Sequence, residues 1–281
     1  MTYSELYTDG VRILTDAAIS EAALDSRLLL EFICETDANT LYAHPDREIS
    51  DEEAKCFATL IAKRANHIPL QHLVGETSFM GLNFFVDENV LIPRQDTEIL
   101  CEEALRYVDD GMHVLDLCTG SGCIILSLMS YKNNLFAVGT DISEEALKVA
   151  DKNAQALKVS ERGTIDFKRG DLYAALENSD KFDVIVSNPP YIKNEDIATL
   201  MPEVRDHDPY IALAGGEDGL DFYKRIIAGA QNHLCSEGRI FLEIGYDQAA
   251  EVSDLLNRAG FKEVKTVKDY AGLDRVVTGH L

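Results

Sequence analysis

From residue 113 onward, short apolar runs with strand character alternate with segments of helical periodicity, and this alternation narrows the fold more than any other feature. Residues 113–117 (HVLDL), 136–140 (FAVGT), 164–167, 182–187 (FDVIVS) and 239–244 read as buried strands. Helices are expected over 121–130, 143–157, 219–234 and 247–259, with two last strands over 261–268 and 273–279. Strand, helix, strand in succession requires crossover connections, hence a mostly parallel α/β sheet with helices on both faces. On such a sheet ligands bind beyond the carboxyl ends of the strands, near the reversal in strand order. The residues that follow each strand are therefore the place to look for chemistry.

The first ~70 residues have a different character. Apolar residues recur at helical spacing in Val11, Leu14 and Ala18, again in Leu24, Leu28, Leu29 and Phe32, and again in Leu41, Ala54, Phe57, Leu60 and Ile61. Ser50 stands before Asp51, Glu52 and Glu53, a cap followed by an acidic first turn. Asp25 and Arg27 are either contact residues or members of a solvated helix face. After Pro69 aromatic and β-branched residues take over, and 73–92 reads as a hairpin with Gly75, Gly81 and Asn83 as turn candidates. A length of 281 residues suits such a division. The expected organisation is a helical domain over 1–72, a hairpin linker over 73–92 and an α/β domain over 93–281.

Four features sit at strand ends. Asp116-Leu117-Cys118-Thr119-Gly120-Ser121-Gly122 is a glycine-containing turn between a strand and a helix, where backbone approaches a ligand closely. It lacks the Lys-Ser/Thr of a P-loop and the spacing of the dinucleotide motif, and alone it is equally a tight connection. Asp141 ends the next strand, where a carboxylate accepts ribose hydroxyls. Capping of the following helix falls to Ser143, which leaves Asp141 for a ligand. Asp171 and Leu172 follow the third strand, placed to hold an adenine amino group and cover its ring, or simply to make a turn. Asn188-Pro189-Pro190-Tyr191 ends the fourth strand. Two prolines remove two donors and stiffen the turn, so carbonyls face a pocket without competing N–H groups. Asn188 adds an acceptor and Tyr191 an aromatic face, a set suited to a planar –NH2 group.

Lys and Arg total 26 against 49 Asp and Glu, a net charge of −23. Such a field repels phosphate backbones and counts against a nucleic-acid-searching protein. No run approaches the ~20 apolar residues of a membrane span, and MTYSELYTDG has no signal-peptide regions. The six cysteines form no C-x-x-C pair and lack ligand-spaced histidines, so reduced thiols in a cytoplasmic chain without a metal are expected.

D-x-x-x-G-x-G, the acidic end of the second strand and N-P-P-Y resemble a class I S-adenosylmethionine methyltransferase acting on an amide or exocyclic amine. The box is shared by adenine-N6 and protein-glutamine enzymes. The rest of the chain resembles the HemK/PrmC family of protein-glutamine methyltransferases. The matching residues are 64–73 with Val74-Gly75, Phe79-Met80-Gly81-Leu82, Phe85-Val86 and Leu91-Ile92-Pro93-Arg94-Gln95-Asp96-Thr97-Glu98. They continue with 186–192, Ala212-Leu213, Gly215-Gly216-Glu217-Asp218-Gly219-Leu220, Glu243-Ile244-Gly245 and Asp274-Arg275-Val276. The resemblance spans essentially the whole chain. It implies a Rossmann-like seven-stranded sheet behind a helical substrate-recognition domain. It implies methylation of the glutamine amide nitrogen in the Gly-Gly-Gln motif of peptide chain release factors, by a monomer that leaves S-adenosylhomocysteine. Cys118, Thr119, Gly120, Ser121 and Gly122 would then face the amino-carboxypropyl arm with their backbone N–H groups. Asp141 would take the ribose, Asp171 and Leu172 the adenine, and Asn188, Pro189, Pro190 and Tyr191 the glutamine amide. Two departures stand out. Cys118 replaces the family's first glycine, and its Cβ opposes a positive φ. Leu172 stands where an aromatic residue is common. The alternatives are an adenine-N6 methyltransferase, which would need a basic groove, and a non-catalytic S-adenosylmethionine-binding regulator, which would not need the amine box.

Overall fold

A computed structural model describes all 281 residues. The chain begins with helices α1 (Tyr3–Asp16), α2 (Ala22–Ile33), α3 (Ala38–Ala43), α4 (Asp51–Ala65) and α5 (Leu70–Val74). Their apolar stripes converge, burying Leu6, Leu14, Leu29, Leu30, Phe57 and Ile61 in one cluster. Ser50 caps α4 as the sequence predicts. Its hydroxyl accepts the Glu53 amide while the Glu53 carboxylate accepts the Ser50 amide. Asp25 lies on no solvated face: it is buried, and Arg64 donates Nε to it at 2.7 Å. Burial pushes the Asp25 carboxyl up against the pull of that guanidinium. Arg27 pairs with Glu31 along its own helix.

The chain forms two compact units. One holds Met1–Glu76 together with Met201–His207, and the other holds Thr77–Leu200 and Asp208–Leu281. No sequence pattern marks 201–207 as part of the helical unit. Arg64 Nη2 holds it there through Glu203 at 2.5 Å.

Strands β1 (Glu76–Phe79) and β2 (Leu82–Phe85) form a two-stranded sheet. Met80 (φ 50°) and Gly81 (φ 70°) make its turn, with the two successive positive φ angles that suit a tight hairpin. Gly75 instead ends α5, and Asn83 lies inside β2 rather than in a turn. Then follow α6 (Gln95–Leu105), β3 (His113–Leu117), α7 (Cys123–Tyr131), β4 (Phe136–Asp141), α8 (Glu144–Ala156), β5 (Thr164–Arg169) and β6 (Phe182–Ser187). The chain ends with α9 (Pro202–Arg205), α10 (Tyr210–Leu213), α11 (Asp221–His233), β7 (Leu234–Glu243), α12 (Ala249–Arg258), β8 (Lys262–Lys268) and β9 (Asp274–His280). The helix expected from residue 121 starts two residues later, because Gly120 and Gly122 take φ angles of 55° and 79° that no helix admits.

The seven strands run in the order β5-β4-β3-β6-β7-β9-β8. All pairs from β5 to β7 are parallel, and β9 is antiparallel to both neighbours. Alternate strand residues bury on opposite faces. Val114, Val184 and Val186 pack with α6 and α7, while Leu115, Leu117, Ile185 and Ile240 pack with α11 and α12. The sheet is thus covered on both faces, the class I methyltransferase arrangement. The strand order reverses at β3, which lies between β4 and β6. Leu117 pairs with Thr140 on one side and with Ser187 on the other.

Candidate active site

That register fixes the site. The residues just past β3, β4 and β6 are Cys118, the Asp141 strand end and Asn188, and Gly170 with Asp171 follows β5. They open on one cavity of about 260 Å³. Its wall includes Cys118, Thr119, Gly120, Ser121, Asp141, Asp171, Leu172, Asn188 and Pro190. Gly122, Pro189 and Tyr191 are outside the wall. Gly122 caps α7, and Tyr191 packs against the apolar layer under α11 with its hydroxyl 3.4 Å from Glu243 Oε1.

Cys118 adopts φ 60° despite its Cβ, so the loop keeps a glycine-like path and accepts local strain. Burial, with Asp141, Asp116 and Asp171 nearby, pushes the Cys118 thiol well up and keeps it protonated. The loop amides do not all face the cavity. Thr119 N–H donates to Thr140 O at 3.0 Å, Gly120 N–H to Asp141 Oδ2 at 2.9 Å, and Gly122 N–H to Thr119 O at 2.8 Å. The row of five ligand-facing N–H groups expected from the resemblance is therefore reduced, because a loop this tight must satisfy its own donors.

Beneath the loop Asp116 is fully buried. Thr119 Oγ1 donates to its Oδ2 at 2.6 Å, and Oδ1 has no partner. Burial pushes its carboxyl up to about 7 against the pull of Thr119. Asp141 uses one lone pair of each oxygen inside the protein, Oδ1 accepting Ser143 N–H at 2.9 Å and Oδ2 accepting Gly120 N–H. Ser143 caps α8 by accepting Ala146 N–H. Asp171 Oδ2 accepts Arg225 Nη2 at 2.6 Å, and both side chains border the cavity. Asn188 donates Nδ2 to Thr97 Oγ1 at 3.3 Å.

The sequence reading missed several wall residues. Pro93, Arg94 and Thr97 enter from the start of α6, Ile211 and Ala212 from α10, and Phe222 and Arg225 from α11. Those on α6 fall within the Leu91–Glu98 stretch that carried part of the resemblance, which was the available signal. Nothing local marked Phe222. The wall fits S-adenosylmethionine by its donor chemistry. Asp141 retains acceptor capacity at the end of β4, and Leu172 and Phe222 offer apolar surface for a flat ring. No group of three His, Cys, Asp or Glu side chains is arranged to hold a metal ion. No helix is long and apolar enough to cross a membrane.

Residues 5–75 match the family model for the PrmC N-terminal domain, and 108–245 match a methyltransferase domain model. The release factor glutamine methyltransferase of Clostridium acetobutylicum is 42% identical over 256 residues, 90% of this chain and 89% of that protein. The chain belongs to the release factor glutamine methyltransferase family. The Clostridium botulinum member is 39% identical over 99% of this chain and 98% of its own length. In fold, a Pyrococcus furiosus methyltransferase superposes with a TM-score of 0.53 over 72% of this chain and 90% of its own, at 18% identity. Membership in this family makes the chain a protein-glutamine methyltransferase and favours that reading over the adenine-N6 alternative.

Proposed function

We propose that this enzyme methylates the side-chain amide nitrogen of the Gly-Gly-Gln glutamine in release factors, as a cytoplasmic monomer, and that the cavity at the ends of β3, β4, β5 and β6 is where it does so. The observation that carries this reading is the convergence of Cys118, Asp141, Asp171 and Asn188 on one cavity at the strand-order reversal. Asp141 would hold the ribose hydroxyls of S-adenosylmethionine, Asp171 and Leu172 would border its adenine, and residues 118–122 would shape the seat of its amino-carboxypropyl arm. Bound S-adenosylmethionine supplies an electrophilic methyl on its sulfonium and departs as S-adenosylhomocysteine.

The protein's own task is to prepare a poor nucleophile. An amide nitrogen shares its lone pair with the carbonyl. Asn188 Oδ1, on the cavity wall, would accept one of its N–H hydrogens, and the Pro189 carbonyl, set back from that wall, would take the other once the substrate is seated, which raises electron density on nitrogen and fixes its aim. Pro190 and the missing proline amides keep competing donors out of the pocket. Most of the acceleration then comes from alignment and fixed dipoles. The alkylated nitrogen is strongly acidic and sheds its proton without a dedicated base. Tyr191 supports the pocket floor from the Glu243 side. The helical unit serves substrate recognition.

The deciding experiment is transfer of labelled methyl to a purified release factor, to the same factor with its Gly-Gly-Gln glutamine changed to Ala, and to DNA. Label on the intact factor alone is expected. Label on DNA would restore the adenine reading. Asn188→Ala is expected to abolish transfer while S-adenosylmethionine still binds, and unchanged turnover in that variant removes Asn188 from the mechanism.

A further inference from the structure

Ser187 at the end of β6 pairs with Leu242 in β7, so Asn188, the first residue past β6, comes level with Glu243, the last residue of β7, which itself pairs with Val276 of β9. Thr97, on the first turn of α6, is within hydrogen-bond distance of Asn188. Thr97 and Glu243 are each only 2% exposed. Burial of Glu243 is only partly compensated. Oε1 meets the Tyr191 hydroxyl at a long 3.4 Å, Oε2 makes no close hydrogen bond, and Thr97 and Arg275 are neighbours that favour the charged form.

An Asn side chain has two nearly isosteric orientations, and only one presents oxygen to a substrate amide. Here Nδ2 is spent on Thr97 Oγ1. That contact requires a lone pair on the threonine, whose single hydrogen must point elsewhere. An ionised Glu243 is an acceptor only, and Thr97 favours its charged form. We infer that Glu243 is a positioning residue, which draws the Thr97 hydroxyl hydrogen and thereby fixes Asn188 with Oδ1 toward the glutamine amide. The inference rests on the proposed role of Asn188.

Protonation reverses the chain of donors. A neutral Glu243 donates to Thr97, the threonine hydrogen turns to Asn188, and the amide flips to present Nδ2 to the substrate N–H groups. Arg275 from β9 and Asp96 from α6 act on Glu243 with opposite sign, Tyr191 lies against it, and the buried thiols of Cys101 and Cys123 are nearby. The Tyr223 hydroxyl is spent on the Glu243 main-chain oxygen at 2.8 Å. Burial outweighs these and pushes the Glu243 carboxyl up to about 7.

The test is kcat for methyl transfer to a release factor from about pH 5.5 to 8.5, with both substrates saturating. The wild-type enzyme is expected to lose about tenfold in kcat toward the acid end. Glu243→Gln, which cannot ionise, is expected to give a flat profile. Thr97→Val is expected to lower kcat about tenfold or more with S-adenosylmethionine affinity unchanged, and Thr97→Ser to restore both rate and acid limb. The threonine pair decides the matter should Glu243→Gln fold poorly. A wild-type acid limb retained in Glu243→Gln, a flat wild-type profile, or undiminished kcat in Thr97→Val overturns the inference. An active Asn188→Ala would instead overturn the site reading beneath it.

Discussion

Asp141 accepts the Gly120 amide at 2.9 Å, so a carboxylate at the end of β4 ties down the loop that follows β3. The same side chain is the proposed ribose acceptor, and its two duties can be separated. Asp141→Asn keeps one acceptor oxygen for the loop but loses the charge and the second acceptor. It is expected to weaken S-adenosylmethionine binding about tenfold or more, since a hydrogen bond to a charged group contributes about 1.5–3 kcal/mol. Asp141→Ala removes the Gly120 and Ser143 contacts as well and should also lower the melting temperature. Calorimetric titration beside thermal unfolding checks both. Equal affinity in Asp141→Asn and wild type would take the ribose away from Asp141.

Cys118 stands at φ 60°, where a Cβ costs about 1–2 kcal/mol. Cys118→Gly relieves that strain but loses packing against the layer that includes Leu172 and raises the entropy of the unfolded chain. The opposing effects leave stability within about 1 kcal/mol of wild type. The loop path is already glycine-like, so S-adenosylmethionine affinity should change by less than about threefold. Cys118→Val puts a β-branched side chain at the same φ and should destabilise by about 2 kcal/mol. Urea unfolding and titration of the cofactor test the pair.

Leu172 departs from the aromatic residue that the resemblance led one to expect, yet the cavity does not lack an aromatic surface. Phe222 reaches the same wall from α11. Its replacement by Ala should weaken S-adenosylmethionine binding about tenfold, in the range of a lost base-stacking contact. Phe222→Leu should recover part of that loss. An unchanged dissociation constant in Phe222→Ala would leave the adenine face to Leu172 alone.

The contrast between Leu172 and Phe222 shows what the sequence could carry. Strand ends are legible because a short apolar run stops at a polar turn, and Cys118, Asp141, Asp171 and Asn188 stand at such stops. Their convergence follows from the register of Leu117 with Thr140 and Ser187, which strand order dictates. Phe222, Arg225 and Ile211 reach the cavity from elements far away in sequence, and no local pattern distinguishes them from ordinary helix residues. Glu243 reads as one more residue of the strand expected over 239–244. Only the packing of α6 over β7 reveals that it is buried beside Thr97. The attachment of 201–207 to the helical unit is likewise a property of Arg64 and Glu203 together, separated by 139 residues.

Asp116 makes the stability of the protein depend on pH in an unusual sense. A typical paired carboxylate has a lowered folded pKa and loses stability in acid. Asp116 is raised to about 7 by burial, well above the model carboxyl value of 3.8. Between those values the native state holds a proton that the unfolded chain has released, so stability falls as pH rises through that window. Above about 7 both states are ionised and the contribution is constant. Glu243, raised in the same way, adds a contribution of the same sign. From about pH 5 to 7.5 the urea midpoint of the wild-type protein should therefore decline. Asp116→Asn cannot ionise and still offers Thr119 an acceptor. It should flatten that decline by on the order of 1 kcal/mol, and Asp116→Asn with Glu243→Gln should flatten it further. A decline equally steep in wild type and Asp116→Asn would mean that the general repulsion of a −23 chain, rather than this buried carboxyl, sets the slope.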